Sequence, residues 1–277
     1  MFKTLHKKVK DSIFRKAWDA VMAKPKLFLY IFLLDLAFFA VFFLFNQLFN
    51  LILPSDPSFV TRLQADTLLF IAVIILVVVY FVISVIVYSF FSLVILGNIK
   101  KMSVEHDHDF SMFKRMFGLN LILIILFILL LVLFNIVSAA LASLGTWVGI
   151  FVLVVFIVLA LLAYAFYNFT HSAFILKHEL KDSLKAAFKH ILTKSYLGIL
   201  LFSLIVIGAY IILYFLVGLV FKDAIIKNYE SFVNISSIIA IILVYLLFSF
   251  NRIYFFFVAE KHIGHKVVAR PVKLAKK

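Results

Sequence analysis

Six uninterrupted apolar runs, each long enough to cross a bilayer, constrain this chain more than any other feature. They read Leu27–Phe49, Leu68–Leu96, Leu119–Ala140, Trp147–Leu176, Tyr196–Phe221 and Phe232–Val258. A helix needs about 20 apolar residues to traverse the hydrocarbon core. Inside that core every backbone N–H and C=O must be satisfied within the segment, so runs of this kind form helices. Charged residues make up only 14% of the chain and hydrophobic ones 66%; a water-soluble fold has no means of hiding that much apolar surface. The expected fold is all-α: a polytopic membrane protein with six transmembrane helices spanning residues 27–258. An amphipathic basic segment precedes it (1–26) and a basic tail follows it (259–277).

The charges between the runs alternate. Lys and Arg number eight before the first run, and Lys100, Lys101, Lys114 and Arg115 follow the second. Lys177, Lys181, Lys185, Lys189 and Lys194 follow the fourth, and the C-terminal tail holds six more. The intervening loops hold only Arg62, Lys222 and Lys227. Positively charged loops stay on the cytoplasmic side, so both termini are expected there, as an even number of spans requires. A net charge of +14 raises the question of nucleic acid, but the basic residues cluster beside the membrane runs. They read as topology signals and as contacts to anionic lipid headgroups, and nucleic acid is set aside as a partner. The chain has no cysteine, which excludes disulfides, thiolate metal sites and cysteine nucleophiles.

Two cytoplasmic stretches resemble each other. Ala17–Leu27, "AWDAVMAKPKL", and Ala187–Leu197, "AFKHILTKSYL", share Ala, an aromatic residue, a Lys at matched spacing and a final Leu that opens an apolar run. Each follows an Asp-Ser pair, Asp11-Ser12 and Asp182-Ser183, of the N-capping type. A weaker copy is "DFSMFKRMFGLNL" at Asp109–Leu121. The expectation is three units, each a cytoplasmic amphipathic interfacial helix leading into a hairpin of two spans, related about the membrane normal. Such helices lie in the headgroup plane with basic residues toward anionic lipid. Lys181, Lys185, Lys189 and Lys194 are the expected headgroup contacts on one, Arg15 and Lys16 on another. A soluble protein partner docking on the same faces is the alternative.

On the residues "LKDSLKAAFKHILTKSYLGILLF" and, more weakly, "FRKAWDAVMAKPKLFLY", the chain resembles a broad group of six-span bacterial and archaeal membrane proteins. That group includes the membrane domain fused to some glycerophosphodiester phosphodiesterases. The resemblance implies a prokaryotic plasma membrane and a shared architecture. It carries no catalysis, because the soluble phosphodiesterase domain has no counterpart in this sequence.

Ionisable residues within spans are default candidates for function. Asp35 lies about 12 Å into the first span and Arg252 about 9 Å from the end of the sixth, on the same side, at 1.5 Å per residue. Their matched depths suggest a pair; Arg252 snorkelling and a protonated Asp35 are the alternatives. Asn168 and His171 near the end of span four, and Asn251 beside Arg252, complete a candidate polar pocket opening toward the cytoplasm. Ser89, Ser92, Asn120 and Ser172 lie at similar depth. The plain alternative is interhelical hydrogen bonding. The "VEHDHDF" loop offers His and carboxylate groups but no second ligand pair at a demanding spacing, so it reads as a solvated acidic loop and no metal is expected. No HExxH, GxSxG or P-loop occurs, and no cofactor is expected. The leading expectation is a non-catalytic membrane module that organises lipid or supports a partner. A small transporter or channel using the polar cluster comes second, and a lipid-headgroup enzyme last.

Overall fold

The computed structural model describes residues 12–53, 57–103, 110–141, 145–177, 179–190, 194–221 and 228–263. Among them there is no strand. Six helices are long and apolar enough to cross a membrane: α2 (Pro25–Ile52), α4 (Thr67–Ser103), α5 (Phe113–Leu141), α6 (Thr146–Lys177), α8 (Lys194–Val220) and α9 (Tyr229–Ile263). Among the described residues three short α-helices accompany them: α1 (Ile13–Ala23), α3 (Pro57–Ala65) and α7 (Leu180–His190). The chain is an all-α integral membrane protein.

Local chemistry sets the boundaries. Ser12 caps α1 by accepting a hydrogen bond from the Arg15 N–H at 3.2 Å. Pro25 opens α2, where its missing N–H leaves nothing unsatisfied. Asp66 accepts from the N–H groups of Leu68 and Leu69 at 2.9 and 3.1 Å and so starts α4. Before α6, Gly145 takes a φ of 98°, a conformation that a side chain would strain.

The expected spans are all present, but α4 and α9 overrun their apolar stretches. The extra turns are held by protein: Ile99, Met102, Ala259 and Ile263 are buried, and Ser103 donates to Glu260 at 2.6 Å. Two further expectations are corrected. The Asp109–Leu121 stretch forms no separate interfacial helix. Its described part is one 3-10 turn, Phe110–Met112, running directly into α5, because Met112, Met116 and Leu119 are buried on the helix face that continues the span. Ser183 caps nothing either. It sits inside α7, buried, with its hydroxyl donating to the Glu179 carbonyl. Residues 104–109 of the "VEHDHDF" loop and the basic tail beyond Ile263 lie outside the described residues.

The six long helices form an inner and an outer set. The second helix of each hairpin, α4, α6 and α9, touches the other two. The first helix of each hairpin lies outside them. α2 packs on α4 and α9, α5 packs on α6 and α4, and α8 packs on α9 while Tyr196 bonds the Leu161 carbonyl of α6. The amphipathic segments obey the same rotation: α7 packs on α6 and α1 on α9, each against the second span of the preceding hairpin around the ring. The aligned Ala17 and Ala187 are both fully buried at these contacts, where a small side chain lets helices approach closely. Their aromatic neighbours Trp18 and Phe188 both stay exposed. This cyclic order is what three repeated units about one axis produce.

The packed core occupies one end of the bundle, called here the near end, which carries α1 and α7. Residues Ile253–Ala259 of α9 are seven consecutive buried positions. Seven residues go almost twice round a helix, so protein encircles α9 there. Phe14 stacks edge-on against Phe202 and Phe250, fixing α1 across α8 and α9.

Candidate functional site

At the centre of the near half, the polar residues of the spans meet. Arg252 of α9 forms an ion pair with Asp35 of α2. Asp35 is 3% exposed and Arg252 21%. The carboxylate also accepts from the Ser249 hydroxyl at 2.6 Å. Such pairing offsets the cost of carrying two charges into a low-dielectric medium.

Next to the pair, α4, α6 and α9 leave a cavity of about 10 Å³, room for about one water. Tyr88, Ser92, Tyr167, Asn168, His171, Ser172 and Arg252 contribute to its lining. His171 is fixed at both ring nitrogens: Nδ1 lies 2.9 Å from the Tyr167 carbonyl and Nε2 2.7 Å from Asn120 Oδ1. A carbonyl only accepts, so Nδ1 carries a proton. A second proton on Nε2 is required only while Asn120 presents its oxygen; half a turn of that amide satisfies a neutral ring. With its oxygen toward His171, Asn120 also donates to Ser89 at 2.9 Å, tying α5 to α4 and α6.

Of the candidate pocket residues, Asp35, Asn168, His171 and Arg252 converge. Asn251 does not. It points to the neighbouring side of α9, where its amide donates to the hydroxyls of Tyr164 and Ser203 at 3.2 and 3.3 Å, joining α6 and α8. The polar groups thereby connect all six spans at one depth. Tyr88, Tyr164, Tyr167 and Ser249 belong to the cluster but merge with the apolar runs in the sequence. Their signal was the helical register: Tyr88 lies four residues before Ser92, and Tyr164 seven before His171. Among the described residues no group of three or more potential metal ligands occurs.

The basic helices present a second surface. On α7, Lys181, Lys185 and Lys189 are exposed at four-residue spacing, while Ser183, Ala186 and Ala187 are buried. Phe188 projects beside the lysines. On α1, Arg15 and Lys16 are exposed, and Arg15 pairs with Asp19 at 3.6 Å. The expected picture of apolar faces sunk in lipid is therefore modified: the buried stripes of α1 and α7 lie on protein, which fixes the direction of the basic stripes. Lys194 opens α8, and its side chain lies outside the described residues. His190 stacks on His262 with ring centroids 4.7 Å apart and on Phe169 at 5.9 Å. Burial, then the positive fields of His262, Lys189 and Lys177, push the His190 pKa down.

No protein family model matches the chain, and no curated protein or solved structure matches it either.

Proposed function

We propose that this protein is a non-catalytic, lipid-organising membrane module whose near-end helices hold anionic headgroups of the cytoplasmic leaflet. The observation that carries this reading is the fixed basic stripe of Lys181, Lys185 and Lys189 on a helix whose opposite face is buried on α6. A docked helix loses little freedom on meeting a headgroup, and each basic side chain near an anionic surface contributes about 1 kcal/mol. Phe188 and Trp18 supply apolar anchors at the same level. The polar cluster supports the reading too, since its members bond to one another across helices and leave space for only about one water. The resemblance to the phosphodiesterase-associated membrane group agrees through architecture alone. The transporter reading draws on the cavity beside Arg252 and needs it to enlarge many times over.

The test is lipid selectivity. The protein is reconstituted into vesicles of phosphatidylglycerol and phosphatidylcholine, and spin-labelled analogues of each report the lipid held at its surface. The reading expects phosphatidylglycerol to be enriched there and the K181Q/K185Q/K189Q variant to lose most of that enrichment. Equal selectivity in the variant and the wild type overturns it.

A further inference from the structure

The far half of the bundle contrasts with the near half. Each helix register can be followed from the polar cluster toward the far end along the face that looks to the bundle axis. On α9 that stripe is Arg252, Tyr245, Ile241 and Ile238; on α6 it is His171, Tyr164, Ile157 and Leu153; on α4 it is Ser92, Tyr88, Val78 and Ile74. These spacings keep each residue within about 40° of the first at 100° per residue. In a bundle closed along its whole length the distal members would be buried. Instead Ile74, Val78, Leu153, Ile157, Ile238 and Ile241 are 42% to 57% exposed.

The side-chain contacts agree. Toward the far end, Tyr80 packs on Phe45 and Phe49, Phe134 on Phe156, and Tyr214 on Phe232. Each pair joins the two helices of one hairpin. Among the described residues, the farthest aromatic contacts between hairpins are Phe39 with Tyr245 and Tyr164 with Phe248, a turn or so beyond the ion pair. Three hairpins, joined at the near end, thus separate at the far end.

We infer that acyl chains of the far leaflet enter between the three hairpins and fill the space on the axis, down to the floor made by Phe39, Tyr164, Tyr245 and Phe248. This rests on the lipid-organising reading above and names a second lipid element, the tail, at the opposite end from the basic helices. The exposure pattern selects the occupant. Ile125–Leu129 of α5 are five consecutive exposed residues, which together cover every side of the helix. Two stretches of α8, Leu204-Ile205 and Ile211–Leu213, are exposed as well. A partner helix or a second copy buries a stripe roughly 100° wide, whereas fluid chains wet all sides. Water is disfavoured because the six axial positions are all Ile, Val or Leu, and exposing apolar area to it costs about 25 cal/mol per Å².

The absence of cysteine makes the test direct. Single nitroxide labels are placed at I238C and I157C on the axial stripes, at L204C as a peripheral reference, and at Y254C within the near-end core. Accessibility to oxygen, which partitions into lipid, and to a water-soluble nickel chelate is measured in vesicles of phosphatidylcholine alone. The inference expects both axial labels to match L204C in oxygen accessibility, severalfold above Y254C, with low nickel accessibility. Low accessibility to both reagents at both axial sites means protein fills the space, and high nickel accessibility means water does; either result overturns it. The neutral vesicles separate this outcome from the headgroup reading. Closed axial sites with intact phosphatidylglycerol selectivity sink only the tail inference, and open sites without selectivity sink only the headgroup reading.

Discussion

Replacing Asp35 by Asn tests whether the buried ion pair holds α2 to α9. Asn keeps the shape of the side chain and its bond with Ser249, but it leaves the Arg252 guanidinium without its counter-charge. Breaking a buried pair from one side costs about 3–5 kcal/mol. Arg252 retains 21% exposure, and a long side chain uses such access to reach water. The loss therefore falls near the lower limit, about 3 kcal/mol, roughly a hundredfold in the folded-to-unfolded ratio. The assay is reversible unfolding in mixed detergent micelles, followed by helical signal. Arg252→Met supplies the second side of a double-mutant cycle and D35N/R252M the corner, since the doubly neutral site carries no unpaired charge. The double variant should lose less than the sum of the single losses by about 2 kcal/mol, within the range found for contacting residues. Single losses that add to within about 0.5 kcal/mol would refute the argument, because they would mean that the two side chains act independently.

Asn120→Leu should lower stability by about 1–3 kcal/mol, since it strips a buried partner from His171 and Ser89; Asn135→Leu, where the amide bonds only to its own helix at Leu131, should stay within about 0.5 kcal/mol in the same unfolding assay. The depressed pKa of His190 means that the unfolded chain takes up its proton first as the pH falls. Stability should be level above the ordinary histidine pKa of about 6.5 and decline below it; the thermal midpoint at pH 5.5 against pH 7.5 reads this, and His190→Asn should reduce the difference. Ala187→Leu pushes bulk into the contact between α7 and α6, costs about 1–3 kcal/mol, and should also weaken the pH response by displacing His190 from His262.

The spans were legible in the sequence because the bilayer imposes a length and a composition that nothing else imposes. The Asp35–Arg252 pair was legible for a related reason: two charges at matched depth have few other ways to be satisfied. Ala17 and Ala187 align in the sequence and occupy equivalent contacts in the structure. Ser183 has the sequence setting of a cap and is none, because a capping residue and a back-bonding serine look the same without the helix boundary. Tyrosines carry a polar tip on an apolar ring, so Tyr88, Tyr164 and Tyr167 vanished into the runs that hold them. The separation of the hairpins left no mark at all in the sequence, because a span facing lipid and a span facing another span are written in the same apolar residues.

The position of α9 at the hub has a consequence for biogenesis. Asp35 and Arg252 stand 217 residues apart, and the helix that touches α1, α2, α4, α6 and α8 is synthesised after all of them. At about 5–20 residues per second, roughly 10–45 s pass between emergence of the carboxylate and emergence of its guanidinium. Throughout that interval the earlier hairpins lack the surface on which they converge. The near-end core is therefore completed only when α9 arrives as its keystone, and a chain cut before Arg252 is left with an acidic span and no guanidinium to close around.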